Sequence, residues 1–218
     1  MGLKEITDRV RAAETASSRM PGSVELIAVS KVQPPERVEA VLKAGHRVFG
    51  ENRVQEAEGR WPPFKARFED VKLHLIGPLQ SNKTRAAMAL FDAIHSVDRV
   101  KLARAIARIA DETGNCPDVF VQVNTGAEPQ KAGVSPNDTK ALVSECQVLG
   151  LPLKGLMCIP PVEAEAGKHF KELRQLAEAN GLPGLSMGMS ADFEDAIAEG
   201  ATHIRVGSAI FGARETTL

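Results

Sequence analysis

The chain has 218 residues, 43% of them apolar and 25% charged, and carries a formal net charge of −1. A chain of this size buries a full core, and its near-neutral balance lacks the basic footprint of a nucleic-acid binder. No apolar stretch approaches the length of a membrane span. The first residues, MGLKEITDRV, are charged and amphipathic, unlike a secretory leader, and Ile6 stands where a myristoylation signal needs Ser or Thr. An amphipathic helix is expected over residues 3–18. VELIAVSK (24–31) follows as an apolar strand that ends, unusually, in a lysine. PPERVEAVLKAG then has proline near its first turn, an apolar face of Val38, Val41 and Leu42, and Gly45 as a stop. HRVFGEN (46–52), KLHLIGPL (72–79) and AIHSVD (93–98) are short β-rich runs bounded by turn residues. VKLARAIARIADETG places Leu102, Ile106 and Ile109 on one helical face and stops at Gly114. DVFVQVNT (118–125), SPNDTKALVSECQVLG, LKGLMCIP (153–160), KHFKELRQLAEANG, GLSMGMS (184–190), SADFEDAIAEG and THIRVGS (202–208) continue the alternation. Ser190 or Asp192 is the expected cap of the penultimate helix.

Strands alternating with helices eight times predict a single (β/α)8 TIM barrel spanning 1–218, with one extra N-terminal helix. The competing open, doubly wound sheet would carry a glycine-rich turn after its first strand. Here that turn is KVQPPE, without glycine. Cys116, Cys146 and Cys158 are odd in number and far apart, which argues against a disulfide framework and for a reducing, cytoplasmic setting. His46, His74, His95, His169 and His203 show no paired ligand spacing, so no metal is expected.

Barrel chemistry gathers at the C-terminal ends of the strands. Those ends carry Lys31, Glu51 and Asn52, Gln80, Ser96, Asn124, Met157, Ser190, and the run Arg205-Val206-Gly207-Ser208. Asn52, Ser96 and Asn124 are equally readable as turn residues, and a strand-end lysine is ordinarily a solvated surface group. The last two strands are more specific. Ser190 and Gly207-Ser208 each lead into a helix, where free backbone N–H groups and hydroxyls suit a phosphate. Arg205, flanked by Ile204 and Val206, should point into the barrel, where it needs either a carboxylate such as Glu51 or a ligand atom. An amine, a phosphate cradle and an inward cation together fit pyridoxal 5′-phosphate. Lys31 would form the Schiff base, helped by a pKa lowered on desolvation. Ser190, Gly207 and Ser208 would hold the phosphate, and Arg205 would face the ring nitrogen.

With AVSK (28–31), VFGENRVQEA (48–57), HLIGPLQSNK (74–83), SVDR (96–99), VNTGAEPQKAG (123–133), GLMCIP (155–160), LSMGMSADFEDAI (185–197) and IRVGSAIFG (204–212), the chain resembles the pyridoxal phosphate homeostasis proteins. These look like the barrel domain of alanine racemase standing alone. The resemblance implies the same roles for Lys31, Ser190, Gly207, Ser208 and Arg205, and a pocket also lined by Asn52, Ser96 and Met187. It implies a cytosolic monomer that binds and buffers the cofactor, hands it to pyridoxal-dependent apoenzymes and affects amino-acid balance, without robust catalysis of its own. Lys131 matches a family lysine in a second contact with the cofactor, or is a plain loop lysine. Two departures stand out: Gln33 replaces a lysine frequent in relatives, and the chain reads RETTL where relatives often carry a lysine-containing tail.

Carrier and enzyme differ in what they require. Racemisation needs a proton acceptor on each face of the substrate, and the second is a tyrosine in alanine racemases. This chain contains no tyrosine. An arginine opposite the ring nitrogen also disfavours ring protonation and weakens the electron sink. A pyridoxal-dependent racemase, lyase or decarboxylase would need another base, with His203 and Cys158 the candidates. A sugar-phosphate-binding barrel without pyridoxal is the third alternative.

Overall fold

A computed structural model describes residues 2–212. The chain opens with helix α1 (Leu3–Ala16) and then alternates strands and helices: β1 (Glu25–Val29), α2 (Pro35–Lys43), β2 (Val48–Glu51), α3 (Val54–Arg67), β3 (Lys72–Leu75), α4 (Thr84–Leu90), β4 (Ala93–Val97), α5 (Val100–Thr113), β5 (Asp118–Val123), α6 (Thr139–Val148), β6 (Leu153–Cys158), α7 (Ala166–Ala179), β7 (Gly184–Ser186), α8 (Phe193–Ala198), β8 (His203–Val206) and α9 (Ser208–Phe211). The strands pair in parallel, in chain order, and β8 closes on β1 through Glu25–His203 to Ala28–Val206. This is the expected (β/α)8 barrel with α1 as its extra helix. The RETTL tail lies outside the described residues.

All eight strands fall within the runs read from sequence, but β1 ends at Val29, so Lys31 sits in the turn just beyond the strand. Each helix stop has a local cause; α5, for instance, ends on Gly114 at φ +70, a left-handed conformation that glycine adopts without a Cβ clash. Two helices had no clear pattern. α4 is short, and α3 carries Pro62 and Pro63 inside it, residues that in sequence signal a break. α3 persists because Val54, Ala57, Trp61 and Phe64 are buried on one face, with the Trp61 ring 4.9 Å from Phe49.

The contiguous apolar core lies between sheet and helices and includes Phe49, Trp61, Leu102, Phe170 and Phe193. The lumen is separate. Alternation along the strands sends Glu25, Ile27 and Val29 of β1 inward, with Arg205 and His203 of β8 beside them. At the seam between β6 and β7, Gly155 faces Gly184, and a Cβ on Gly155 would lie 1.9 Å from the Gly184 carbonyl oxygen. Only glycine permits this approach.

The lower half of the lumen departs from the branched aliphatic layers usual in such barrels. His95 stacks on Phe120 at 4.3 Å and 18°, while His74 and His203 lie 5.1 and 5.8 Å from His95. The spacing of these histidines in the sequence concealed the cluster. Among the described residues, no group of three or more His, Cys, Asp or Glu is arranged to hold a metal. No described helix is long and apolar enough to cross a membrane.

Candidate functional site

A cavity of about 340 Å³ opens at the C-terminal mouth, lined by Lys31, Asn52, Ser190, Arg205, Gly207 and Ser208 together with Val29, Gln33, Ile76, Ile159, Met189 and Ala191. Six of the eight residues singled out from sequence thus meet in one place. Ser96 and Met187 do not line it; both are fully buried, and Ser96 Oγ has no hydrogen-bond partner among the described groups. The apolar wall of Val29, Ile76 and Ile159 was invisible from sequence, because nothing distinguishes such residues from core until the barrel closes.

Each polar group has a structural reason for its place. Lys31 continues the inward row Glu25, Ile27, Val29 by alternation. The residue before it is firmly held. Ser30 Oγ donates to Glu51 Oε1 at 2.8 Å, Trp61 Nε1 donates to the same oxygen at 3.0 Å, and Arg60 Nη1 bonds the Ser30 carbonyl at 2.8 Å. Glu51 therefore anchors the turn from below and is not the partner of Arg205; burial raises its pKa. Asn52 is pinned by the segment just after β3, where a Cβ on Gly77 would fall 2.2 Å from the Asn52 carbonyl oxygen.

The two last loops converge on Ser190. Gly207 N donates to Ser190 Oγ at 3.4 Å, and Ser208 Oγ lies 3.5 Å from it. The helix-terminus reading needs correction here. α8 starts only at Phe193, Asp192 is its cap position, and α8 and α9 are six and four residues long. Hydroxyls and turn N–H groups, rather than long helix dipoles, supply the donors. Gly207 has an ordinary φ of −117; a Cβ there would sit 3.2 Å from the Val29 carbonyl oxygen, so its smallness serves close approach to β1.

Arg205 is the central group. It is 4% exposed, and its Nη1 and Nη2 donate to Ser186 Oγ at 2.7 Å and the Cys158 carbonyl at 2.8 Å. Both acceptors are neutral, and no carboxylate lies within ion-pair distance among the described residues. Burial lowers its pKa, although a guanidinium remains charged. A buried cation with donors to spare is costly unless a ligand acceptor completes its set.

The candidate second bases are elsewhere. Cys158 is fully buried, and burial pushes its thiol up to about 12. His203 lines a separate cavity of about 570 Å³ at the opposite end, with Glu25, His74, Asp92 and Asp118. That cavity is larger, yet it lies on the face where barrels place stabilising rather than reacting groups. Asn124 closes its own loop by donating to the Glu128 carbonyl at 2.8 Å, and Lys131 pairs with Glu128 at 2.6 Å.

The chain is similar to known proteins over nearly its whole length. The family described as alanine racemase, N-terminal domain, matches residues 3–215. A pyridoxal phosphate homeostasis protein of Pseudomonas aeruginosa is 44% identical, covering 98% of this chain and 94% of the relative. The chain belongs to the pyridoxal phosphate homeostasis family. The Escherichia coli K12 member is 38% identical over 98% of this chain and 95% of its own length. PipY of Synechococcus elongatus, solved with PLP bound, superposes with a TM-score of 0.81 at 40% identity, covering 95% of this chain and all of that one. An alanine racemase from Clostridium difficile, 14% identical with a TM-score of 0.72, covers all of this chain but 59% of its own, and shares the barrel fold. The relatives at 37–44% identity are thus named for homeostasis and not for catalysis.

Proposed function

We propose that the chain binds pyridoxal 5′-phosphate at the C-terminal mouth as a covalent Lys31 adduct and serves its intracellular storage and delivery to apoenzymes, with consequences for amino-acid balance. The observation that carries this reading is Arg205, a buried cation lacking a carboxylate partner, in the same cavity as a primary amine and a pair of hydroxyls. The set fits the cofactor group by group. Lys31 supplies the amine that condenses with the aldehyde, releasing one water. Ser190, Ser208 and the Gly207 N–H hold the phosphate, Asn52 borders the ring, and Arg205 donates to the ring nitrogen. When bound, the cofactor supplies an electron-withdrawing ring, which an arginine partner keeps unprotonated and therefore a weak sink.

The remaining features agree with a carrier. Neither a tyrosine nor a histidine lines the mouth to act as a second base. The three cysteines are free, which suits a reducing cytoplasm. The test is an absorption spectrum with pyridoxal phosphate before and after borohydride reduction, followed by mass mapping of the modified lysine. Wild type should show a near-visible band and label at Lys31, and Lys31→Ala should show neither. Label on another lysine, or amino-acid turnover at roughly 1–10³ per second in a chiral product assay, would overturn the reading.

A further inference from the structure

The anchoring of Arg205 continues past Ser186. Ser186 Oγ lies 2.8 Å from His95 Nδ1, His95 Nε2 lies 3.1 Å from His74 Nδ1, and His74 Nε2 faces Glu25 Oε1 at 3.8 Å. Ser186 and His95 are fully buried and His74 is 5% exposed. The row begins on a group that can only donate, and this orders the protons along it. Ser186 Oγ accepts from Arg205 and is fully buried, and His95 Nδ1 is the acceptor its one hydrogen can reach among the described groups, so that hydrogen turns to His95 Nδ1. That nitrogen must carry a lone pair, and the proton of neutral His95 then sits on Nε2. His95 donates to His74 Nδ1, which places the His74 proton on Nε2, toward Glu25. The chain runs from the cofactor end of the lumen to the opposite mouth without a reversal of direction.

We propose that His95 is a positioning residue for Arg205, acting through Ser186: its Nδ1 lone pair takes the serine hydrogen and so keeps an oxygen lone pair turned to Arg205. The proposal rests on the reading above that Arg205 meets the ring nitrogen. Arg205 has no carboxylate to fix it, so its direction depends on Ser186 Oγ and the Cys158 carbonyl. A hydroxyl that donates to an imidazole is also the better acceptor for the guanidinium. Were His95 to gain a second proton, its Nδ1–H would leave the buried Ser186 hydrogen without that acceptor. The surroundings resist that. His74 from β3, Phe120 from β5, Ser186 from β7, and His203 and Arg205 from β8 face the ring. Glu25, Lys72, Asp92, Asp118 and Lys154 stand farther out around the lower cavity. Burial first, then the nearby His74, His203 and Arg205, hold His95 well below the usual imidazole range.

Two substitutions and one spectroscopic signature test the assignment. His95→Asn keeps an acceptor oxygen where Nδ1 stands, whereas His95→Leu removes it. Spectrophotometric titration with pyridoxal phosphate should show His95→Leu about tenfold or more weaker, the scale of one hydrogen bond to a charged group, with a shifted absorption maximum. His95→Asn should return affinity to within about threefold and restore the maximum. In ligand-free wild type, side-chain 15N NMR should show His95 as the Nε2–H tautomer, unchanged between pH 8 and 6. An Nδ1–H tautomer, titration in that window, or wild-type affinity and spectrum in His95→Leu would overturn the proposal. If His95→Leu does not fold, by circular dichroism, the tautomer of the wild type decides alone. A wild type that takes up no pyridoxal phosphate overturns the function proposed above, and the ligand-free NMR still decides the proton order.

Discussion

At the C-terminal mouth Lys31 and Ser190 on turns and Ser208 at the start of α9 stand at least partly exposed around a cavity about 340 Å³ in volume. In the lower half of the same lumen, His74, His95 and Ser186 are buried and bonded to one another. Both regions are polar, yet the first lines an open cavity and the second is closed on itself, with His95 bonded to both Ser186 and His74. Arg205 joins them, with two bonds spent downward and its remaining N–H groups available above. A polar cluster that lines a cavity is therefore the candidate for a binding site, and one closed on itself the candidate for a structural element.

The sharpest way to break this contrast is acid. Burial holds His74 down to about 3 and His203 to about 4, so both stay neutral in the folded barrel while unfolded histidine protonates near its ordinary value. The unfolded chain then binds more protons between roughly pH 6.5 and 4, and stability falls as pH drops through that window. At pH 5 the loss is roughly 2 kcal/mol per shielded imidazole. Glu25 and Glu51, raised by burial, act in the opposite direction and offset part of it. Urea unfolding at pH 7.5 and 5 measures the difference; equal stability would mean that the lower lumen is hydrated.

A second test strikes the lower wall alone. Gly155→Ala drives a Cβ into the Gly184 carbonyl at the β6–β7 seam and should cost about 3 kcal/mol, the upper range for overpacking. Thermal melting should register a large drop, and an unchanged melt would show that the seam can open. The smallest effect belongs to the open mouth. Ser208→Ala should weaken phosphate binding by about 1–3 kcal/mol at unchanged melting temperature, measured by competition between pyridoxal phosphate and pyridoxal. A melting shift equal to that of Gly155→Ala would place Ser208 in the scaffold instead.

The eight strands were legible because each is a short β-rich run between turn residues, and a closed parallel barrel follows from their alternation with helices. α3 was not, since Pro62 and Pro63 read as a break where Trp61 and Phe64 supply enough burial to keep the helix. Lys31, Ser190, Arg205, Gly207 and Ser208 could be read from strand-end position; Asn52 and Ser96 stood at strand ends too, but only the resemblance set them apart from turn residues. Ser96, and Met187 drawn from resemblance alone, lie off the cavity. The histidine row was illegible, because His74, His95 and Ser186 come from β3, β4 and β7, and only closure of the barrel brings them within reach.

If Lys31 holds the cofactor as proposed, the clamp on Ser30 bears on how that cargo leaves. With its hydroxyl on Glu51 and its carbonyl on Arg60, the main chain leading into Lys31 is moored to the helical shell. Under the proposed function, loading and release at that amine would turn on rotation about its four methylene groups, a tether rather than a door.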